Sequence, residues 1–160
     1  MLAQSSQSTE HWAWTDESRY AYEWAVRRLF ARGLKGCRIL DVGCGTGIGT
    51  AALQEAGFDV SGIDSCAEAV EMAQAAGVKA TLAHWGGRKD IRARDKWDAI
   101  TMFGIVGYYS LRDRNAVEDA MRLAPVVLMS TIRRESEFEW MKPLPSYDGS
   151  ISPALVEWSR

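Results

Sequence analysis

The sequence predicts an α/β fold, and three observations carry that expectation. Short apolar runs with the look of buried strands alternate with segments of helical period along most of the 160 residues. One of those runs, Cys37 to Val42, breaks into glycines at 43, 45, 47 and 49 and resumes as a helix through Ala51, Ala52 and Leu53. A second apolar run, Phe58 to Ile63, ends in Gly62-Ile63-Asp64, placing an acid about 20 residues beyond the turn.

Composition sets the limits. Apolar residues make up 47% and charged residues 25%, ordinary for one globular domain over residues 1–160. A net charge of −2 argues against a chain built to neutralise phosphates, so no nucleic-acid partner is expected. No apolar run approaches the roughly 20 residues that span a bilayer, and Met1 to Glu10 has no apolar signal core. A cytoplasmic protein with no membrane contact is the expectation. Cys37, Cys44 and Cys66 are an odd set without metal-like spacing, and reduced thiols are expected.

Taken in order, residues 1–14 are expected to be partly disordered or to act as a lid. His11-Trp12-Ala13-Trp14 is an aromatic cluster ahead of a helix that Thr15 or Asp16 caps. Tyr22, Val26, Leu29 and Phe30 recur at helical spacing, and Gly33 ends the helix. After the glycine turn a helix runs to about Ala56, stopped by Gly57. The second strand follows, and Ser65 is placed to cap a helix over Ala67 to Ala76. Val70, Met72 and Ala73 are among the apolar positions of that helix, and Gly77 closes it. Val78 to Ala83 is a short third strand leading into His84 and Trp85. Gly86 to Lys96 carries five basic and two acidic residues, a net +3, and reads as a solvated loop or an anion-facing surface. Trp97 to Phe103 is the fourth strand, with Gly104 to Tyr109 at its carboxyl end. Asn115 to Ala124 is a helix ended by Pro125, and Val126 to Ser130 is a β-branched fifth strand. Residues 132–160 are expected to be irregular, with a helix starting near Ser152-Pro153.

The glycine turn separates two ligand classes. The dinucleotide fingerprint places its third glycine at Ile48, Thr50 or Ala52 in the three available registers, so a nicotinamide dehydrogenase is disfavoured. Asp41, Gly43, Gly45 and Gly47 instead form an acid followed by alternating glycines. Leu-Asp-Val-Gly-Cys-Gly-Thr-Gly resembles the first motif of the class I, Rossmann-like S-adenosylmethionine-dependent methyltransferases, and Asp64 matches that family's ribose-binding acid. The resemblance covers roughly Tyr20 to Ser130. It implies a three-layer, mostly parallel sheet of about five strands in the order 3-2-1-4-5, with helices on both faces.

The same resemblance implies S-adenosylmethionine as cofactor, S-adenosylhomocysteine as product and a small-molecule acceptor. It places Asp41, Gly43, Cys44, Gly45, Gly47, Asp64, Ser65, His84, Trp85 and Phe103 around the cofactor. Trp12, Trp14, Tyr20 and Tyr108 fall at the lid and acceptor side, and Tyr108 stands near the point where many members carry a histidine base. His84 and Trp85 stand where the family usually has an acid for the adenine amino group. Members continue beyond the fifth strand into two more, whereas this sequence ends at Arg160. The expectation is therefore a truncated chain or a shortened sheet. Its fifth-strand edge would be covered by the C-terminal segment or by a second copy in a homodimer. A cofactor-binding module without catalysis is the alternative that these departures suggest.

Overall fold

The computed structural model describes residues 16–85, 96–106, 110–131 and 154–160. Helix α1 (Asp16–Ala31) precedes strand β1 (Arg38–Val42), helix α2 (Ile48–Glu55), strand β2 (Asp59–Asp64), helix α3 (Ala67–Ala75) and strand β3 (Ala80–Leu82). Strand β4 (Ala99–Val106), helix α4 (Ser110–Leu123), strand β5 (Val126–Thr131) and strand β6 (Ala154–Ser159) follow. The six strands form one sheet in the order β3-β2-β1-β4-β5-β6, parallel except for β6, which runs antiparallel to β5. The chain thus departs from β1 in two directions, and the switch falls between β1 and β4 as the sequence suggested.

Alternation along the strands divides the core into two layers. Ile39, Val60, Ala99, Phe103, Leu128 and Leu155 face α1 and α2, where Ala21, Tyr22, Trp24, Ala25, Leu29 and Leu53 are buried against them. Leu40, Val42, Ile100, Met102, Val127 and Met129 face the opposite way, toward Val117 and Ala120 of α4. A smaller cluster, Val70, Ala73, Val78, Ala80 and Cys44, seats α3 beside the glycine turn. The buried stripe of α1 is rotated from the expected one. Ala21, Trp24 and Ala25 join Tyr22 and Leu29 in the core, while Phe30 is 42% exposed and stacks on Phe58. Met72, among the apolar positions of α3, is likewise exposed.

Three expectations are corrected. The sheet has six strands, because the segment expected to start a helix near Ser152-Pro153 supplies β6. Its sequence Ala-Leu-Val-Glu-Trp-Ser alternates in the strand manner: Leu155 packs on the α1 layer, Val156 and Trp158 on the α4 layer. The open hydrogen-bonding edge of β5 outweighs the helix-start signal of Pro153, and the pairing runs from Val126 opposite Ser159 to Thr131 opposite Ala154. The chain's own C-terminal segment, of the two covers expected, is the one on that edge. Finally, β4 runs past Phe103 to Val106, with a shift of register against β5 between Met102 and Val106.

β6 is also tied to α1. Arg28 donates from Nε to Glu157 Oε2 at 2.7 Å, and Arg32 Nε donates to Oε1 of the same carboxylate. No described helix is long and apolar enough to cross a membrane.

Candidate functional site

The glycine turn folds over the end of β2. The amides of Gly43 and Cys44 both donate to the Ile63 carbonyl, at 2.8 and 3.0 Å, and Gly47 donates to the Cys44 carbonyl at 3.0 Å. Gly47 then caps α2 in the left-handed region (φ 89°) without any side-chain cap. The first amides of α2 are therefore left for another acceptor, which favours an anionic group at that end.

The glycines answer different demands. A Cβ at Gly49 would lie 2.2 Å from the Tyr22 ring, and one at Gly47 would lie 2.9 Å from the Cβ of Ala73, so packing excludes a side chain at both. Gly45 differs. It has φ 55°, yet nothing lies within 4 Å of where its Cβ would be. The backbone there faces open space, and a ligand can come up to it directly.

Asp64 closes the other side of that opening. Its Oδ2 accepts from the Gly45 amide and its Oδ1 from the Cys66 amide, each at 2.9 Å. A carboxylate has about four lone-pair sites, so two remain for the paired hydroxyls of a ribose. Ser65 does not cap α3, contrary to expectation. It is exposed, the cap position belongs to Cys66, and the Cys66 amide is taken by Asp64.

Asp41, expected among the cofactor-binding residues, lies beneath the glycine turn with no exposure. Thr50 Oγ1 donates to its Oδ2 at 2.7 Å and Thr101 Oγ1 to its Oδ1 at 2.8 Å. The Tyr22 hydroxyl straddles both oxygens at 3.0 and 3.1 Å. Burial pushes the carboxyl up from 3.8 to about 6; the three hydroxyl donors oppose that rise, and the nearby Asp64 charge adds to it. The Tyr22 phenol is held well above 10 by the same burial and by the Asp41 charge. Phe103, also expected beside the cofactor, is buried with its ring edge-on to Tyr22 at 5.0 Å and packed on Trp24.

Cys44 is buried in the α3 cluster, with its side chain where a Cβ on Gly62 would collide. Burial, with Asp41 and Asp64 nearby, pushes its thiol up to about 12, so it is an inert spacer and not a nucleophile. His84 is exposed. Trp85 is half-buried, and its indole Nε1 donates to the Ala116 carbonyl of α4 at 2.8 Å, which fixes the ring against the α4 layer. Tyr20 is half-buried on α1 under the Arg27 guanidinium. Trp12, Trp14, Tyr108 and most of the basic stretch lie outside the described residues.

Sequence reasoning missed Tyr22, Thr50 and Thr101. Each sits in a segment whose pattern explained it otherwise, as a core aromatic, a helix residue and a strand residue. Only the meeting of α1, α2 and β4 over Asp41 gives them a common role. Among the described residues no cluster of metal-ligating side chains occurs.

The turn open at Gly45, the acid beside it on β2 and the start of α2 lie together at the switch of strand order. The chain belongs to the methyltransferase domain family, whose model matches residues 14–122. A ubiquinone biosynthesis O-methyltransferase of Bordetella avium (strain 197N) is 37% identical over 73 residues, covering 41% of this chain. The match spans only 30% of that enzyme. Among solved structures, a magnesium protoporphyrin IX methyltransferase of Synechocystis PCC 6803, determined with bound S-adenosylmethionine, superposes with a TM-score of 0.73. It is 17% identical, with 90% of this chain and 80% of that one covered. A sugar N-methyltransferase of Streptoalloteichus sp ATCC 53650 superposes with a TM-score of 0.56 at 23% identity, over 68% of this chain and 46% of that one. At such identities the superpositions show a shared fold.

Proposed function

We propose that this chain binds S-adenosylmethionine in the cleft between the glycine turn and Asp64 and directs its methyl group to a small-molecule acceptor. The observation that carries the reading is the Gly45–Asp64 pair: an open glycine backbone whose amide is held by an acid with spare acceptor capacity. In this reading the Gly43–Gly47 backbone lies along the cofactor, Asp64 takes the ribose hydroxyls, and the first amides of α2 face its carboxylate. Ser65, His84 and Trp85 border the adenine side, while Asp41 and Phe103 support the cleft from beneath. The relatives that act on a protoporphyrin, a sugar and a ubiquinone precursor support an acceptor of small-molecule class.

The bound cofactor supplies an activated methyl: the acceptor's electron pair forms a new bond to carbon as the carbon–sulfur bond breaks, its electrons staying on sulfur in S-adenosylhomocysteine. What remains for the protein is alignment and exclusion of water, which proximity can supply. Trp12, Trp14, Tyr20 and Tyr108 are the acceptor-side candidates, with Tyr108 orienting the nucleophile. The reading includes a single cytoplasmic domain.

Calorimetric titration with S-adenosylmethionine tests this directly. Wild type should bind, and Asp64→Ala should weaken binding by roughly tenfold or more, since hydrogen bonds to a charged group are lost. No binding by wild type, or equal binding by the variant, overturns the proposal. Binding with no transfer across a broad acceptor panel would make the chain a cofactor-binding module instead.

A further inference from the structure

Tyr22 is a residue of the first helix, yet its side chain ends inside the cofactor motif. Its hydroxyl reaches both oxygens of Asp41, and its ring occupies the space that any side chain at position 49 would need. Edge-on contact with Phe103 fixes the ring from the β4 side. Asp41 is the last but one residue of β1, and its remaining donors come from the first turn of α2 and from β4. Asp64 and Cys44 are the other titratable groups near it, and neither brings positive charge. A fully buried acid whose partners among the described residues are hydroxyls needs each of them, because no described cation compensates for a lost one.

The geometry points to Tyr22 as a positioning residue: from α1, through Asp41 and Gly49, it holds the glycine turn in the shape that the cofactor meets. This deepens the methyltransferase reading and rests on it for the identity of the ligand. The Tyr22 contact and the conformation of the turn then form one unit, separate from the fastening of α1 to Glu157.

The test is Tyr22→Phe, which keeps the ring and its packing and removes one hydroxyl. Amide hydrogen exchange is followed in the full chain without ligand, alongside calorimetric affinity for S-adenosylmethionine. The amides of Gly43, Cys44 and Gly47 should exchange several times faster than in wild type, while those of β5 and β6 keep their rates. Affinity should fall by roughly three- to tenfold, because the hydrogen bond lost to Asp41 acts on the ligand only through the shape of the turn. Glu157→Gln serves as a control, since it loosens α1 at its C-terminal end and should leave the turn amides unchanged. Unaltered turn exchange in Tyr22→Phe overturns the assignment, as does equal acceleration across the sheet. So does acceleration of the same turn amides by Glu157→Gln, which would make general docking of α1 the cause. Should wild type fail to bind S-adenosylmethionine, the functional reading falls, and the exchange data still decide the role of Tyr22.

Discussion

Helix α1 is fastened to the sheet by two buried acids, and they are satisfied in opposite ways. Asp41, under the glycine turn, holds the middle of the helix at Tyr22, and its partners among the described residues are hydroxyl groups. Glu157, on the edge strand β6, holds the C-terminal end through Arg28 and Arg32, and its side chain is only 2% exposed. A guanidinium brings full positive charge in a rigid fork, so the Glu157 tie is a fastening between the last strand and the first helix. Hydroxyls bring only dipoles, so the charge on Asp41 stays uncompensated and responsive to protonation. The molecule uses the cation-bound acid where it needs an edge secured. It uses the hydroxyl-bound acid beneath the glycine turn.

The sharpest way to break the Asp41 side is steric. Gly49→Ala places a methyl group 2.2 Å from the buried Tyr22 ring, which Phe103 and the Asp41 bonds keep from moving. We expect a loss of about 3 kcal/mol in urea unfolding, at the upper end of overpacking effects. A loss below about 0.5 kcal/mol, the size of an ordinary surface change, would mean that the ring yields and the clamp is soft.

Next is the pH dependence of stability. The folded carboxyl of Asp41 at about 6 lies above its ordinary 3.8, so the folded state binds the proton more tightly. Its contribution is favourable below about pH 4, declines as pH rises toward 6 and is a standing cost above that. A shift of this size corresponds to on the order of 3 kcal/mol. Asp41→Asn keeps the shape and removes the charge, and the surrounding hydroxyls can turn to accept from its amide. The stability of wild type relative to Asp41→Asn should therefore fall between pH 4 and pH 7. Parallel curves for the two proteins would show that Asp41 titrates as an ordinary carboxyl.

The smallest effect belongs to the other anchor. Both arginine side chains at Glu157 are about a third exposed, so water screens the attraction. Glu157→Gln should cost about 1 kcal/mol, seen as a lower urea midpoint at unchanged slope. A loss of several kcal/mol would put the two anchors on an equal footing and erase the contrast.

Much of this was readable in the primary structure. The alternation of periods gave the order of the elements from β1 to β5, though α4 begins five residues before the expected Asn115, and the glycines with Asp64 pointed to the family. The reading went astray where a local signal competed with a distant partner. Ser152-Pro153 is a sound helix start taken alone, but the unpaired edge of β5 recruited the next residues as β6. Ser65 is a sound cap taken alone, but Asp64 had already taken the Cys66 amide. Taken alone in the sequence, Asp41 and Phe103 read as cofactor residues. Strand alternation and the arrival of α1 nonetheless turned them inward.

The sequence by itself determined that strands and helices alternate, that the first strand ends in a turn only glycines can make, and that an acid stands at the end of the next. Those are properties of neighbouring residues, governed by period, backbone freedom and side-chain charge. Tertiary structure decided which glycine faces open space, which acid lies at the open side of the turn and which is buried, and what completes the sheet. Each of these depends on residues far apart in the chain, Tyr22 against Gly49, Thr101 against Asp41, Glu157 against Arg28. Burial gives such contacts their strength, and burial exists only once the layers have packed.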